Sequence, residues 1–254
     1  MGAAILGDVK LTVGWLYPDL MNIYGDRGNI LTLLKRAEWH GLEPNLIELG
    51  RGPAPSEMDD VDIFFFGGGQ DREQALIYDD LREFKQEPLQ RAVEQNGAQV
   101  LAVCGGYQLL GHYYQTADGQ KFDGIGMIDV TTQAGKKRFI GDVVVQADLE
   151  NLSPSTLVGF ENHSGRTFLG RDAKPLGKVL VGKGNNGSDR REGCVQGGII
   201  GTYLHGSLLP KNPHLADHLI AAALKRRGAG VLSQLDDSAE LAAHGWILQR
   251  AQRR

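Results

Sequence analysis

Val100-Leu-Ala-Val-Cys-Gly-Gly-Tyr-Gln-Leu-Leu-Gly111 is the stretch that decides the fold: a short β-branched strand stops at a thiol, two glycines follow, and an apolar helix begins. A side chain presented at the tip of a sharp strand-to-helix turn needs small neighbours, and Gly105 and Gly106 supply permissive φ/ψ. This is the spelling of a nucleophile elbow with Cys104 at its tip. The helix opening behind it offers free N–H groups and a positive dipole end, which favour thiolate over thiol. A buried cysteine acting as a small hydrophobe explains the thiol but not the two glycines after it.

Upstream of the elbow, strand-like and helix-like patterns alternate. Val9 to Trp15 reads as a strand, Tyr17 to Gly28 as a polar loop, and Asn29 to His40 as a helix closed by Gly41. Asn45 to Leu49 is a second strand. Val61 to Phe66 is a buried third strand that runs into Gly67-Gly68-Gly69-Gln70-Asp71. Arg72 to Gln86 is helical, Pro88 breaks or restarts that helix, and Ala98 to Val103 feeds Cys104. This order predicts an α/β fold with a mostly parallel sheet covered by helices on both faces, its working edge at the strand C-termini. The Gly-Gly-Gly-Gln-Asp loop and Cys104 both fall on that edge.

Past Gly126 the segments become short and extended: Met127 to Val130, Gly141 to Ala147, Thr156 to Phe160, Lys178 to Val181 and Cys194 to Tyr203. They read as strands extending or flanking the same sheet. Asn212-Pro213 opens a helix with a capping Asn, and Gly228 closes it. A last helix, about Ser238 to Arg250, has Leu241, Trp246, Ile247 and Leu248 available for packing. The expected organisation is one domain over residues 1–228 with a helical extension at 229–254.

Composition frames the function. The 254 residues are 41% hydrophobic and 23% charged, enough for a full core, and a net charge of −4 gives no electrostatic footprint for nucleic acid. Met1 to Lys10 lacks a basic region followed by an apolar run, and no stretch approaches a membrane span. Cys104 and Cys194 are too few for a disulfide framework, so a cytoplasmic protein is expected. Two phosphate-loop look-alikes fail on context. Gly182 to Gly187 matches G-x-G-x-x-G but is followed by a polar turn, and Gly177 to Lys183 encloses a strand and lacks the hydroxyl for magnesium. No ATP site is expected on this chain.

A thiol nucleophile needs a base. His205 ends the strand-like run Gly198 to Gly206 and so sits where the working edge falls; His163, in Phe160-Glu-Asn-His-Ser-Gly165, is the competitor. His214 and His218 form an i, i+4 pair without a third ligand and read as solvated helix residues, not a metal site. His40, His112 and His244 read as structural.

The elbow Val103 to Gln108, the Gly67 to Asp71 loop and Tyr203-Leu204-His205-Gly206 together resemble class I, or triad-type, glutamine amidotransferase domains, whose fold is a three-layer, flavodoxin-like α/β domain. That class usually carries Glu two residues after the His, where this chain has Ser207, a departure that resembles the cobyric acid synthase-like branch. Leu16 to Ile30, Gly159 to His163, Gly184 to Gly187 and Gly201 to Pro213 look like the GatD family, the glutaminase subunits of lipid II isoglutaminyl synthase.

The resemblance implies that Cys104 attacks the carboxamide of L-glutamine, that N–H groups of the Gly68-Gly69 loop and of Gly105 hold the oxyanion, and that His205 moves the protons. It implies that Arg138, otherwise readable as an exposed basic turn, binds the α-carboxylate of glutamine, with Gln108 and Gln70 as further pocket candidates. With no acid beside His205, either a distant carboxylate folds in or a partner donates it. A MurT-like Mur ligase subunit, carrying ATP and Mg, is the implied partner, and lipid II at the inner membrane face the implied acceptor. A cobyrinate-type amidotransferase is a lesser alternative, since its synthetase domain is expected on the same chain. A thiol hydrolase of the peptidase sort shares the elbow but not the late histidine strand. A non-catalytic scaffold is disfavoured by the intact Cys104, glycine loop and His205.

Overall fold

A computed structural model describes residues 9–253. Residues 1–8, read above for a leader, lie outside them. The main sheet has six strands in the order β11-β12-β4-β3-β1-β2. Its members are β1 (Lys10–Leu16), β2 (Glu43–Leu49), β3 (Ile63–Phe66), β4 (Gln99–Val103), β11 (Cys194–Gln196) and β12 (Ile199–Thr202). All neighbours pair in parallel except β11 with β12. The central strands are buried along their length, which is why they read as continuous apolar runs. Phe64, Phe65 and Phe66 are fully buried, each contributing about 1.5–3 kcal/mol.

Helix α1 (Arg27–Trp39) follows β1, and α2 (Asp71–Asp80), α3 (Gln86–Glu94) and α4 (Gly105–Leu110) follow β3 and β4. Strand order reverses about β1, so right-handed crossovers send the two groups to opposite faces. A π-helical stretch, Leu81–Lys85, joins α2 to α3. Pro88, in the first turn of α3, has no N–H for the Phe84 carbonyl; the helix restarts there instead of stopping.

The second half decides between strands that extend the central sheet and strands that flank it. Most of its strands do not extend the central sheet but build a second one, ordered β10-β9-β7-β5-β6 with β8 on β7. It comprises β5 (Tyr113–Gln115), β6 (Lys121–Asp123), β7 (Val130–Ala147), β8 (Thr156–Leu169), β9 (Gly177–Val181) and β10 (Arg191–Glu192). Segments read as separate strands are pieces of the long β7–β8 hairpin, interrupted by a register shift between Ala134 and Phe139. Cys194 to Tyr203 is likewise a tight hairpin, turning at Gly197 with φ +58°.

Helix α5 (Pro213–Arg226) packs on α1, and α6 (Ser238–Gln252) lies against β7 and β8. The fully buried Arg36 guanidinium joins Asp217 on α5 (2.6 Å) to Asp237 before α6 (2.7 Å). Asn212 does not cap α5 with its side chain; the amide instead pairs with the Val158 N–H and C=O of β8. On α6, Ile247 and Leu248 join Val144, Val158 and Ala251, whereas Trp246 and Leu241 face solvent, contrary to expectation. His214 is half-buried with Nε2 on the Thr156 carbonyl, not solvated. No described helix is long and apolar enough to cross a membrane.

Candidate active site

Parallel strands β3, β4 and β12 end side by side, with Phe66 beside Ala102 and Thr202 beside Val103. Their exits carry Gly67-Gly68-Gly69, Cys104 and His205. Cys104 itself adopts φ 51°, ψ −103°, a strained conformation for a side chain other than glycine. Gly105 and Gly106 are therefore needed for space, not for φ/ψ as their spelling suggested. A Cβ on Gly105 would sit 2.9 Å from both the Gly69 N and O, and one on Gly106 would sit 2.6 Å from the Phe66 O. The elbow and the glycine loop are in backbone contact, tied by Gly106 N–H to Gly67 O (3.1 Å).

The Gly68 α-carbon faces His205, Asp26 and Cys104. A Cβ built there would lie 3.3 Å from His205 Cε1, 3.4 Å from Asp26 Oδ2 and 3.5 Å from Cys104 Cβ. His205 is held by the backbone, its N–H donating to Phe160 O (2.9 Å). Just upstream, the buried Glu192 of β10 accepts from Thr202 Oγ1 and Tyr203 N–H, both at 2.7 Å, and fixes the exit of β12. Burial pushes the Glu192 carboxyl up to about 7.

The thiol is not the thiolate that the helix end was expected to favour. Burial pushes Cys104 up to about 12, the Asp26 charge adds to this, and Arg138 and the Gly105 N–H oppose it. A helix end is worth well under one pKa unit, about 0.3–1 kcal/mol, and α4 has only six residues, so desolvation wins. Burial, helped by Arg138, also lowers His205 to about 4. In this chain the resting pair is neutral thiol and neutral imidazole.

Cys104 opens into a pocket of about 190 Å³. Arg138 lines it from the irregular stretch of β7, its Nε and one terminal nitrogen donating to Asn162 Oδ1 and O. The basic stretch is exposed, as the sequence reading has it, but it belongs to β7 instead of a turn and brings Arg138 to the pocket that Cys104 lines. Asp71, at the start of α2, lines the pocket too and accepts from the Tyr114 hydroxyl (3.0 Å). A cation and an anion on one rim suit a zwitterion. Gln70 is an exposed pocket residue capping α2.

Gln108 lines the pocket, but its polar ends are engaged: Oε1 accepts from Gln74 and Nε2 donates to the Tyr203 hydroxyl. His163 stacks on Tyr203, ring centroids 3.7 Å apart, and its Nδ1 meets the Gly165 carbonyl at 2.9 Å. A carbonyl only accepts, so Nδ1 carries the proton. Burial lowers His163 to about 3. It belongs to the pocket wall, and His205 keeps the position at the strand edge.

At the position of the expected Glu, Ser207 Oγ instead donates to Gly25 O (2.6 Å). The buried carboxyl found beside Cys104 and His205 is Asp26, from the loop between β1 and α1. Burial pushes it up to about 7 against the Gly68 N–H, which donates to its Oδ2 at 2.7 Å. The Gly68 N–H is therefore occupied and is not an oxyanion donor. Among the described residues the Gly69 N–H has no acceptor, which leaves it and Gly105 N–H for that role. The sequence reading placed Asp26 in the polar loop Tyr17 to Gly28; the place of that loop after a parallel strand, where functional loops gather, is the signal for Asp26.

A strained cysteine at a strand-to-helix turn, glycine N–H groups against it and a histidine on the next strand exit define the site type of class I glutamine amidotransferases. The chain belongs to the GatD family within the CobB/CobQ-like glutamine amidotransferase domain family, whose model matches residues 12–213. It is 40% identical over 245 residues, 96% of this chain and 97% of the other, to the lipid II isoglutaminyl synthase (glutamine-hydrolyzing) subunit GatD of Staphylococcus aureus (strain N315). It is 42% identical over 220 residues, 86% of this chain and 82% of the other, to the subunit of the same name from Streptococcus pneumoniae (strain ATCC BAA-255 / R6). The acivicin-bound glutaminase domain of Trypanosoma brucei CTPS shares the fold, with TM-score 0.52 and 12% identity over 88% of this chain and 98% of that one.

Proposed function

We propose that this chain is a glutaminase subunit that hydrolyses L-glutamine to glutamate and ammonia and passes the ammonia to an ATP-dependent, MurT-like Mur ligase subunit. The acceptor is the α-carboxylate of D-glutamate in the lipid II stem peptide, giving D-isoglutamine, on the cytoplasmic face of the membrane. Similarity to two GatD subunits over 96% and 86% of this chain supports this over a cobyrinate-type enzyme or a scaffold. The observation that carries it is Cys104 at φ 51° on the strand-to-helix turn, beside the Gly67–Gly69 loop and lining one pocket with Arg138 and Asp71.

In this reading Arg138 takes the α-carboxylate of glutamine and Asp71 the α-ammonium, bringing the carboxamide carbon to Cys104 Sγ. Sulfur attacks as its proton moves to His205, and Gly69 and Gly105 N–H groups hold the oxyanion. His205 returns the proton to nitrogen, the C–N bond breaks and ammonia leaves a γ-glutamyl thioester. Water then attacks that carbonyl as His205 takes its proton; the C–S bond breaks, the proton returns to sulfur and glutamate departs. ATP and Mg belong to the partner, which is also where an acid able to charge His205 is sought.

Amide-labelled glutamine supplied to the co-purified complex tests this. Label should enter the stem peptide, and Cys104→Ala should abolish glutamine-driven but spare ammonium-driven amidation. A stem peptide that stays unlabelled, while ammonium salts do amidate it, would sink the proposal.

A further inference from the structure

The loop between β1 and α1 takes both polar groups of Gly68. The Gly68 N–H donates to Asp26 Oδ2 (2.7 Å), and the Gly68 carbonyl accepts from the Ile23 N–H (3.2 Å). Across a trans peptide the C=O and the following N–H point in opposite directions. Tying the Gly68 carbonyl to Ile23 therefore turns the Gly69 N–H away from the loop and towards the elbow. Met21 packs beneath the same stretch: a Cβ on Gly67 would sit 2.1 Å from Met21 O, and one on Gly69 2.4 Å from Met21 Sδ.

Asp26 has the position of an N-cap for α1, yet its side chain makes no capping bond. Its second oxygen, Oδ1, is buried without a hydrogen-bond partner. A buried, half-satisfied carboxyl is destabilising, and helix capping does not account for it. Its one hydrogen bond goes to the glycine loop beside the nucleophile. The same loop reaches the residues after the catalytic histidine, through Ser207 Oγ on Gly25 O.

We propose that the 21–26 loop is a clamp on the glycine loop and that Asp26 is a positioning residue, accepting the Gly68 N–H so that the Gly69 N–H is aimed at the oxyanion. Asp26 does not touch substrate; it acts through Gly68. The kinetic part rests on the glutaminase reading, whereas the clamp stands on geometry alone.

The test uses wild type, Asp26→Ala and Asp26→Asn, each in the co-purified complex. Asp26→Ala should lower kcat for glutamate release about 10- to 100-fold with KM within about threefold, because an oxyanion donor acts in the transition state. Asp26→Asn keeps an acceptor of the same shape and should restore most of that loss. Amide exchange of the 67–70 segment, followed by mass spectrometry, should speed up in Asp26→Ala and not in Asp26→Asn, while β4 exchange stays unchanged. Unchanged exchange in Asp26→Ala, or an Asn variant as slow as the Ala variant, overturns the proposal. Should wild type release no glutamate, the glutaminase reading fails and exchange at 67–70 alone decides the clamp.

Discussion

Cys104 reactivity offers a quantitative check on the neutral resting pair. With its thiol pushed up to about 12, the thiolate fraction at pH 7 is about one in 10⁵. An ordinary cysteine near 8.5 gives about three in a hundred. Because a thiolate of higher pKa is also more nucleophilic, by about 30-fold over this range, a small uncharged alkylating agent, iodoacetamide, should modify Cys104 in the isolated subunit roughly a hundredfold more slowly than free cysteine at pH 7. The rate should climb about tenfold per pH unit through pH 9 without a plateau. An acid placed against His205 by a partner raises the imidazole above its present value of about 4, and an imidazolium beside the sulfur lowers the thiol. Complex formation should thus flatten the profile and speed alkylation at neutral pH. Peptide mapping of Cys104 against Cys194, also pushed up to about 12 and fully buried, separates the two sites. A plateau below pH 7 in the isolated subunit would refute the neutral pair.

Other consequences follow from the site. Arg138→Lys loses the planar fork that matches a carboxylate, so KM for glutamine should rise about 10- to 100-fold with a smaller change in kcat; a change confined to kcat would contradict the assignment. Gly106→Ala drives a Cβ to 2.6 Å from the Phe66 carbonyl, and the elbow should open, costing about 1–3 kcal/mol in denaturant melts and most of the activity. Glu192 titrates at about 7 in the fold against about 4.5 ordinarily, so the unfolded chain holds fewer protons in that window and stability falls as pH rises through it. Glu192→Gln lacks that fall and should gain on the order of 2 kcal/mol relative to wild type on moving from about pH 5 to pH 8; equal pH dependence would contradict it.

The catalytic edge was legible because its spelling is local. Val61 to Phe66 before three glycines, Val100 to Val103 before Cys104, and Ile199 to Thr202 before His205 are each a buried strand run with its candidate residue at the exit, directly after the strand for Gly67 and Cys104 and three positions on for His205. The second sheet was not legible, because Lys136-Lys137-Arg138 imitates a turn where β7 has only a bulge, and pairing partners are set by tertiary contact. The thiol's protonation state depends on burial, which the helix-end argument omitted. Asp26 was hidden for a similar reason: Gly25-Asp26-Arg27-Gly28 reads as the end of a polar loop, and nothing in the spacing tells that its carboxyl turns towards Gly68. Trp246 misled because an apolar residue on an amphipathic helix was assumed to face inward, whereas it is 59% exposed with Arg250 over its ring.

Glutamate release from glutamine tests the central claim most directly, measured for wild type and Cys104→Ala with and without the co-purified ligase subunit. The account predicts weak release by the isolated chain, a large rise in the complex, and loss of both in Cys104→Ala. Release that survives Cys104→Ala, or none from the wild-type complex, would contradict it.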